Sequence, residues 1–153
     1  MATSAQAVKK FKSWLGLKEG PAVDKAIINP WNKATGCKPP AKSKKNPWCA
    51  IAAASCLLQV HAKGFSKSAT CKNQRNYYKK YKRWIAAGQR PKTGDIIFVT
   101  GHEGMVTSTS ATGSSRYISG NSLNKVRYSS FNWKTKKAGK KKVLGYGRPK
   151  YGN

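Results

Sequence analysis

The order of the predicted elements indicates an α+β domain, in which N-terminal helices pack on a small antiparallel β-sheet. Two observations predict this class. Helical periodicity fills the first half of the chain, and short apolar strands separated by turn residues fill the second. The length of 153 residues and the 39% of apolar residues suit one domain with a single core. We find no internal repeat, so residues 1–153 are treated as one domain.

Four helices are predicted in the first half of the chain. Apolar residues recur at helical spacing in two early sets, Val8, Phe11 and Leu15, and then Val23, Ile27 and Trp31. Pro47 suits the first turn of a third helix, because its missing N–H would be unpaired there in any case. The segment 48–60 is apolar almost all round, so this helix is expected to be buried. A fourth helix is predicted over Thr70–Trp84.

Five short strands are predicted after Gly88, where the period changes. They are Asp95–Val99, Gly104–Thr109, Arg116–Ser119, Lys125–Tyr128 and Val143–Tyr146. Asp95 follows a glycine at the start of the first strand and is expected to cap the turn before it. The lysine-rich segment 134–142 is predicted to be an exposed hairpin loop.

The composition is strongly basic, with 31 Lys and Arg residues against four Asp and Glu residues and a net charge of +27. The charge is spread along the whole chain, so no single basic arm carries it. Such a surface attracts polyanions, among them nucleic acid, teichoic acids, lipopolysaccharide and acidic lipid headgroups. The alternative is a solvated basic surface without a specific partner. With only four carboxylates, mechanisms that need paired acids are nearly excluded.

Neither a membrane span nor a secretory signal is predicted. No stretch approaches the ~18 consecutive apolar residues of a transmembrane helix. The first 17 residues lack the apolar core of a signal peptide. We therefore expect a chain that is made without its own export signal.

Three residues with complementary chemistry follow one another along the predicted elements. Cys49 lies at the start of the buried helix, where the helix dipole and free backbone N–H groups favour the reactive thiolate. The same N–H groups are candidate oxyanion donors. His102 follows the first strand and Asn121 ends a later one, so a base and a group that orients it come after the thiol. Taken singly, each residue also has a structural explanation, as a core thiol, a strand residue and a turn residue.

Short segments around these residues form a recognisable pattern in order and spacing. They are Trp14–Gly16, Glu19–Gly20, Pro47–Ala50, Pro91–Phe98, His102–Val106, Gly120–Ser122 followed by Val126, and Gly145–Tyr151. In this order they resemble the papain-like peptidoglycan hydrolases of the CHAP and NlpC/P60 group, the phage and prophage endolysins in particular. The resemblance covers nearly the whole chain and implies a papain-like fold.

The resemblance also implies a role for each of the three residues. Cys49 is expected to be the nucleophile, His102 the general base and then the acid, and Asn121 the group that orients the imidazole. Two nearby positions depart from the family pattern. Glu103 stands where a small apolar residue is usual, and Ser119 stands where many members carry a glutamate.

Two further residues are candidates for contacts with the substrate. Trp48, next to the nucleophile, either lines the cleft or packs in the core. Ser119 is either an ordinary strand residue or a contact for the substrate. No Cys or His spacing matches a zinc site, so neither a metal nor a cofactor is expected.

The function implied by the resemblance is hydrolysis of amide bonds in the stem peptide of peptidoglycan, by an amidase or an endopeptidase. Such an endolysin is made in the host cytoplasm and reaches the cell wall after release by a holin. No separate wall-binding domain is predicted, so we expect the cationic surface of a monomer to bind anionic wall polymers or lipopolysaccharide, with no specific nucleic acid partner. Two alternatives stay open, a non-catalytic basic module that binds polyanions and a cysteine peptidase that acts on proteins.

The other three cysteines have no assigned chemistry. Cys56 lies two helical turns from Cys49, about 10 Å along the axis, which is too far for a disulfide. We therefore place Cys56 in the core. Cys37 and Cys71 are either core thiols or a disulfide pair, and the sequence does not decide between these alternatives.

Overall fold

The computed structural model describes residues 1–153, with all helices in the first 80 residues and seven strands after them. The helices are α1 (Ser4–Lys12), α2 (Pro21–Val23), α3 (Asn29–Thr35), α4 (Cys49–Gln59) and α5 (Cys71–Lys80). A π-helical turn over Asp24–Ile28 joins α2 to α3, so these segments form one helical stretch. The α+β class and the four predicted helical regions are therefore confirmed.

Helix α1 is shorter than its periodicity predicts. Thr3 caps its start in a reciprocal capping box with Gln6, and Phe11 is buried as expected. The helix ends before Leu15, which is 46% exposed. The chain turns at this point, and Trp14 occupies the core position instead.

The third and fourth predicted helices also differ from the prediction at their ends. Trp48 is the N-cap of α4, so Pro47 lies before the helix and not in its first turn. Thr70 caps α5 by accepting a hydrogen bond from the backbone N–H of Asn73. Helix α5 stops at Lys80 and Lys82 adopts a left-handed φ of 56°, so Trp84 belongs to a strand and not to the predicted helix.

All seven strands belong to one antiparallel sheet. They are β1 (Trp84–Ala86), β2 (Ile96–Val99), β3 (His102–Ser108), β4 (Ser114–Ser122), β5 (Lys125–Asn132), β6 (Lys137–Ala138) and β7 (Lys141–Gly147). Their order is β1-β7-β2-β3-β4-β5-β6, and a further β6–β7 pairing closes the sheet on itself. The five predicted strands are present, and β1 and β6 are additional. The prediction of a loop over residues 134–142 is wrong at β6, where Ala138 is buried against the inner side chains of the sheet.

The core has two parts, and the start of α4, where Cys49 lies, packs with the larger one. Helix α4 is buried on nearly all sides and packs against β3 and β4, as its apolar sequence predicts. A second cluster of apolar side chains, including Ile97, Val106 and Tyr146, fills the other side of the sheet. None of the helices is long and apolar enough to cross a membrane.

Asp95 has a larger role than that of a turn cap. Its carboxylate accepts the backbone N–H of Lys92, which is the predicted cap. It also accepts two hydrogen bonds of 2.9 Å from the guanidinium of Arg148, just beyond β7. Because Asp95 is only 1% exposed, this bidentate pair ties the end of the chain to the start of β2.

Candidate active site

Close packing between α4 and β4 positions Cys49. Trp48 is fully buried, and its ring lies against Gly120 of β4. A Cβ at position 120 would come within 2.7 Å of both the Trp48 ring and the Ala52 Cβ, so only glycine allows this approach. Cys49, the next residue, therefore begins α4 directly beside the end of β4.

His102 is placed by the hairpin between β2 and β3. Gly101 supplies a left-handed residue, with φ 67°, in the two-residue turn that sets His102 opposite Val99. The imidazole Nε2 lies 2.9 Å from the hydroxyl of Ser119, which is fully buried on β4. Gly104 allows the strands to meet closely here, because a Cβ at that position would lie 2.5 Å from the Ile118 carbonyl oxygen.

The residue that contacts the imidazole is therefore Ser119, not Asn121. Asn121 has a left-handed φ of 57° at an irregularity in the β4–β5 pairing. It lines the same cavity as His102 but makes no hydrogen bond to the ring. The orienting position predicted for Asn121 is occupied by Ser119, and Trp48 packs beneath the site rather than in a cavity wall.

Cys49 has a second sulfur beside it. The Sγ atoms of Cys49 and Cys71 are 3.7 Å apart, and Cys71 is the first residue of α5 as Cys49 is of α4. The hydrogen bond from Cys71 lowers the pKa of Cys49, and although burial opposes this effect, the His102 side chain lowers the pKa further. The pKa of Cys71 is raised by the same hydrogen bond and by burial. The two sulfurs share a proton, and because the His102 side chain lowers the pKa of Cys49, the thiolate is favoured on Cys49.

The backbone around Cys49 offers hydrogen-bond donors as well. No side chain caps the start of α4, so its first N–H groups are free for a substrate oxygen. Because Nε2 of His102 is engaged by Ser119, Nδ1 is the ring nitrogen left for the Cys49 thiol. A thiol, an imidazole and backbone N–H groups thus lie together, and acyl transfer requires groups of these kinds as nucleophile, base and oxyanion donors.

Two cavities flank this site. The apolar cavity, about 390 Å³, opens at Cys49 and Cys71, and its walls include Trp31, Pro47 and Ile51. The cationic cavity, about 420 Å³, opens at His102. It is lined by His102, Tyr117, Asn121, Ser122, Leu123, Ser129, Ser130, Ala138, Gly139, Lys140 and Lys141. The thiol and the imidazole therefore lie between an apolar space and a space with two lysines.

Glu103, next to His102, points away from Ser119 and into the protein interior. It is fully buried, and neither of its carboxyl oxygens has a hydrogen-bond partner. Burial raises the pKa of this carboxyl well above its usual range, and the nearby Cys49 sulfur raises it further, against smaller opposing effects of Cys71 and Arg75. Burial therefore favours the protonated, neutral form of Glu103.

Sequence reasoning missed Cys71 and Glu103 as members of this site. Cys71 follows Thr70, a residue type that commonly caps helices, so the sequence did contain the signal for a second thiol at a helix start. Nothing in the sequence pairs the starts of α4 and α5, because 22 residues separate the two cysteines. The burial of Glu103 depends on how the helices, α4 above all, pack against β3, which is a property of the tertiary structure.

Comparison with protein-family models, with curated proteins and with solved structures finds no match to this chain. The geometry of the site and the residue pattern of the sequence therefore carry the functional argument.

Replacing Glu103 with glutamine is expected to stabilise the protein increasingly as the pH rises. Burial raises the pKa of Glu103 in the folded protein, so the folded wild type holds this proton to a higher pH than the unfolded chain, which loses it above pH ~4.3. Above that pH the free energy of unfolding of the wild type is therefore expected to fall, by up to about 1.4 kcal/mol per pH unit, until the folded carboxyl ionises. Glutamine does not titrate, so the difference in unfolding free energy between variant and wild type should widen with pH. Urea unfolding of both proteins at a series of pH values measures this difference, with Glu19→Gln as the matched control. A constant difference would mean that Glu103 ionises in the fold without penalty.

Proposed function

We propose that this chain is a cysteine-dependent hydrolase of amide bonds, of the papain-like peptidoglycan hydrolase type. The observation that carries the proposal is the meeting of three groups from three elements. They are the Cys49 sulfur at the start of α4, the His102 imidazole on β3 and the Ser119 hydroxyl on β4. A thiolate with a base and a hydrogen-bonded partner behind that base is the arrangement that nucleophilic acyl transfer uses.

Catalysis begins after Cys49 has passed its proton to Nδ1 of His102. The Cys49 thiolate then attacks the carbonyl carbon of the scissile amide. The carbonyl electron pair moves to oxygen, where the free N–H groups at the start of α4 stabilise the negative charge. The carbon–nitrogen bond then breaks, and His102 donates its proton to the leaving amine. His102 next takes a proton from water, which attacks the thioester and releases the acid and the Cys49 thiolate. Ser119 positions the imidazole for both transfers.

The proposed substrate is the stem peptide of peptidoglycan, cut by an amidase or an endopeptidase activity. The resemblance of the motifs to the CHAP and NlpC/P60 group supports this choice. The charge supports it too, since +27 on a surface of 8051 Å² attracts the anionic polymers of a cell wall. We propose that the enzyme reaches the wall from the cytoplasm of the host after release by a holin.

Mass spectrometry of digested peptidoglycan tests the substrate and the bond. Purified sacculi incubated with the protein are expected to release fragments that carry new amine and carboxyl ends at one amide position. New ends between sugar and peptide would identify an amidase, and new ends within the peptide an endopeptidase. Intact sacculi, together with cleavage of a denatured protein substrate, would replace the proposal with a cysteine peptidase that acts on proteins.

A second candidate is a basic module that binds polyanions without catalysis. The lysines of the cationic cavity, Lys140 and Lys141, and the evenly distributed charge favour it. Iodoacetamide separates the candidates. The hydrolase requires Cys49 to be alkylated far faster than the core thiol Cys56, whose pKa burial raises. Equal, slow labelling of the two cysteines would favour the binding module.

High salt is expected to suppress lysis of intact walls much more than cleavage of small soluble fragments. The Debye length falls from ~10 Å at 0.1 M to ~3 Å at 1 M salt, so the attraction of the cationic surface to wall polymers is screened. We expect a loss of roughly tenfold or more in the wall-lysis rate over this range. Turbidity of a sacculus suspension, measured beside hydrolysis of a soluble muropeptide, tests it. Equal salt dependence for both substrates would show that surface charge does not hold the protein on the wall.

A further inference from the structure

Two thiols meet in the wall of the apolar cavity, and the proposed hydrolysis requires only one of them. The Cys49 and Cys71 sulfurs are 3.7 Å apart, and all four cysteines of the chain are free. Both thiols line the apolar cavity, which opens to solvent, so a small reagent can reach them. The fully buried side chain of Glu103 lies beside the pair. This cluster has features that a hydrolytic nucleophile alone does not explain.

We propose that Cys49 and Cys71 form an oxidation site for hydroperoxides, in which Cys71 resolves oxidised Cys49 as an intramolecular disulfide. The geometry carries the inference. Reactive cysteines that oxidise reversibly are accessible thiolates with a second thiol next to them, and this pair has that arrangement. The disulfide would block the nucleophile without destroying it, so hydrolysis would stop under oxidation and return on reduction.

The chemistry balances in two steps. The Cys49 thiolate attacks the terminal peroxide oxygen, the O–O bond breaks, and the leaving alkoxide or hydroxide takes a proton from water, which leaves Cys49 as a sulfenic acid. The Cys71 thiol then attacks the Cys49 sulfur. The S–O bond breaks, the hydroxyl leaves with the Cys71 proton as water, and the S–S bond forms. The peroxide is reduced by two electrons, and the two thiols supply them.

The position of Cys71 suits the second step better than that of either other cysteine. A disulfide needs sulfurs ~2.05 Å apart, so the pair must close by about 1.7 Å from its present 3.7 Å. Cys56 is in the core, where its sulfur donates a hydrogen bond to the Ala7 carbonyl. Cys37 lines the same cavity, but its sulfur contacts the Pro39 carbonyl rather than Cys49.

Stoichiometric hydrogen peroxide followed by mass spectrometry tests the proposal, and the readout does not depend on hydrolysis. The wild type is expected to become lighter by two hydrogen atoms, with Cys49 and Cys71 in one linked peptide that dithiothreitol separates. Cys71→Ser keeps a hydroxyl donor beside Cys49 but cannot form the bond. With a second equivalent of hydrogen peroxide, Cys49 of this variant is expected to over-oxidise to the sulfinic acid about tenfold faster than Cys49 of the wild type, or more.

The control variant is Cys37→Ser, which removes the third cysteine that lines the apolar cavity. Cys37→Ser is expected to form the Cys49–Cys71 disulfide as the wild type does. The inference is overturned if the wild type links Cys49 to Cys37, or if Cys49 over-oxidises at the same rate with and without Cys71. The readout is mass rather than activity, so the two proposals are tested separately. A chain that forms the disulfide without cleaving peptidoglycan would refute the proposed function and support the oxidation site.

Discussion

Replacing Cys49 with alanine is expected to abolish amide hydrolysis while the fold survives. Without the sulfur no covalent acyl intermediate forms, and the remaining N–H donors and imidazole act only on bound substrate and water. We expect a loss of about 10⁴-fold or more in kcat, the scale on which nucleophile variants of triad hydrolases fall. Initial rates of amine release from purified sacculi measure the effect.

The structure indicates that Cys49→Ala will fold. Alanine is the best helix former, and α4 already contains four alanines around this position, at 50 and 52–54. Cys56→Ala is the matched control, since it removes a thiol from the core side of the same helix. Thermal unfolding of both variants is the measurement that checks whether the fold is retained. Hydrolysis by folded Cys49→Ala at the wild-type rate would end the proposed mechanism.

Ser119→Ala is expected to lower kcat strongly, whereas Asn121→Ala is expected to act mainly on KM. Ser119 holds Nε2 of His102 at 2.9 Å, so its loss frees the ring that transfers both protons. We expect a fall in kcat of about 10- to 100-fold with little change in KM. Asn121 lines the cationic cavity without contacting the ring, so its removal weakens substrate binding by a few-fold.

Kinetics on a soluble muropeptide separate kcat from KM for this pair of variants. Thermal unfolding provides the control, because a merely structural role for Ser119 would lower stability and leave kcat of the folded enzyme unchanged. The reverse pattern, with kcat lost in Asn121→Ala and retained in Ser119→Ala, would restore the role that the sequence predicted for Asn121. It would mean that the ring exchanges partners when substrate binds.

The difference between Ser119 and Asn121 shows where sequence reasoning stops. In an extended strand, residues two apart share a face, yet the sequence pattern assigned only Asn121 to the imidazole and left Ser119 as a strand residue or a substrate contact. The choice depends on the register of β4 against β3 and on the left-handed backbone at Asn121. Register is a relation between two strands, and the sequence of either strand alone does not contain it.

The amino-acid sequence by itself determined the local elements and the place of the nucleophile. Apolar periodicity marked the helices and five of the strands, and it placed Cys49 at the start of a buried helix and His102 just after the first predicted strand. These features are local, since each depends on neighbours within a few turns or one strand. The net charge of +27 is likewise a property of the sequence alone.

Only the tertiary structure decided which groups surround the thiol. It closed the sheet through β6, brought Cys71 to Cys49 from another helix, and buried Glu103 beside them, which raises the pKa of that carboxyl. Each of these facts depends on contacts between segments far apart in the chain. Local propensity cannot specify such contacts, because they form only when the whole core packs.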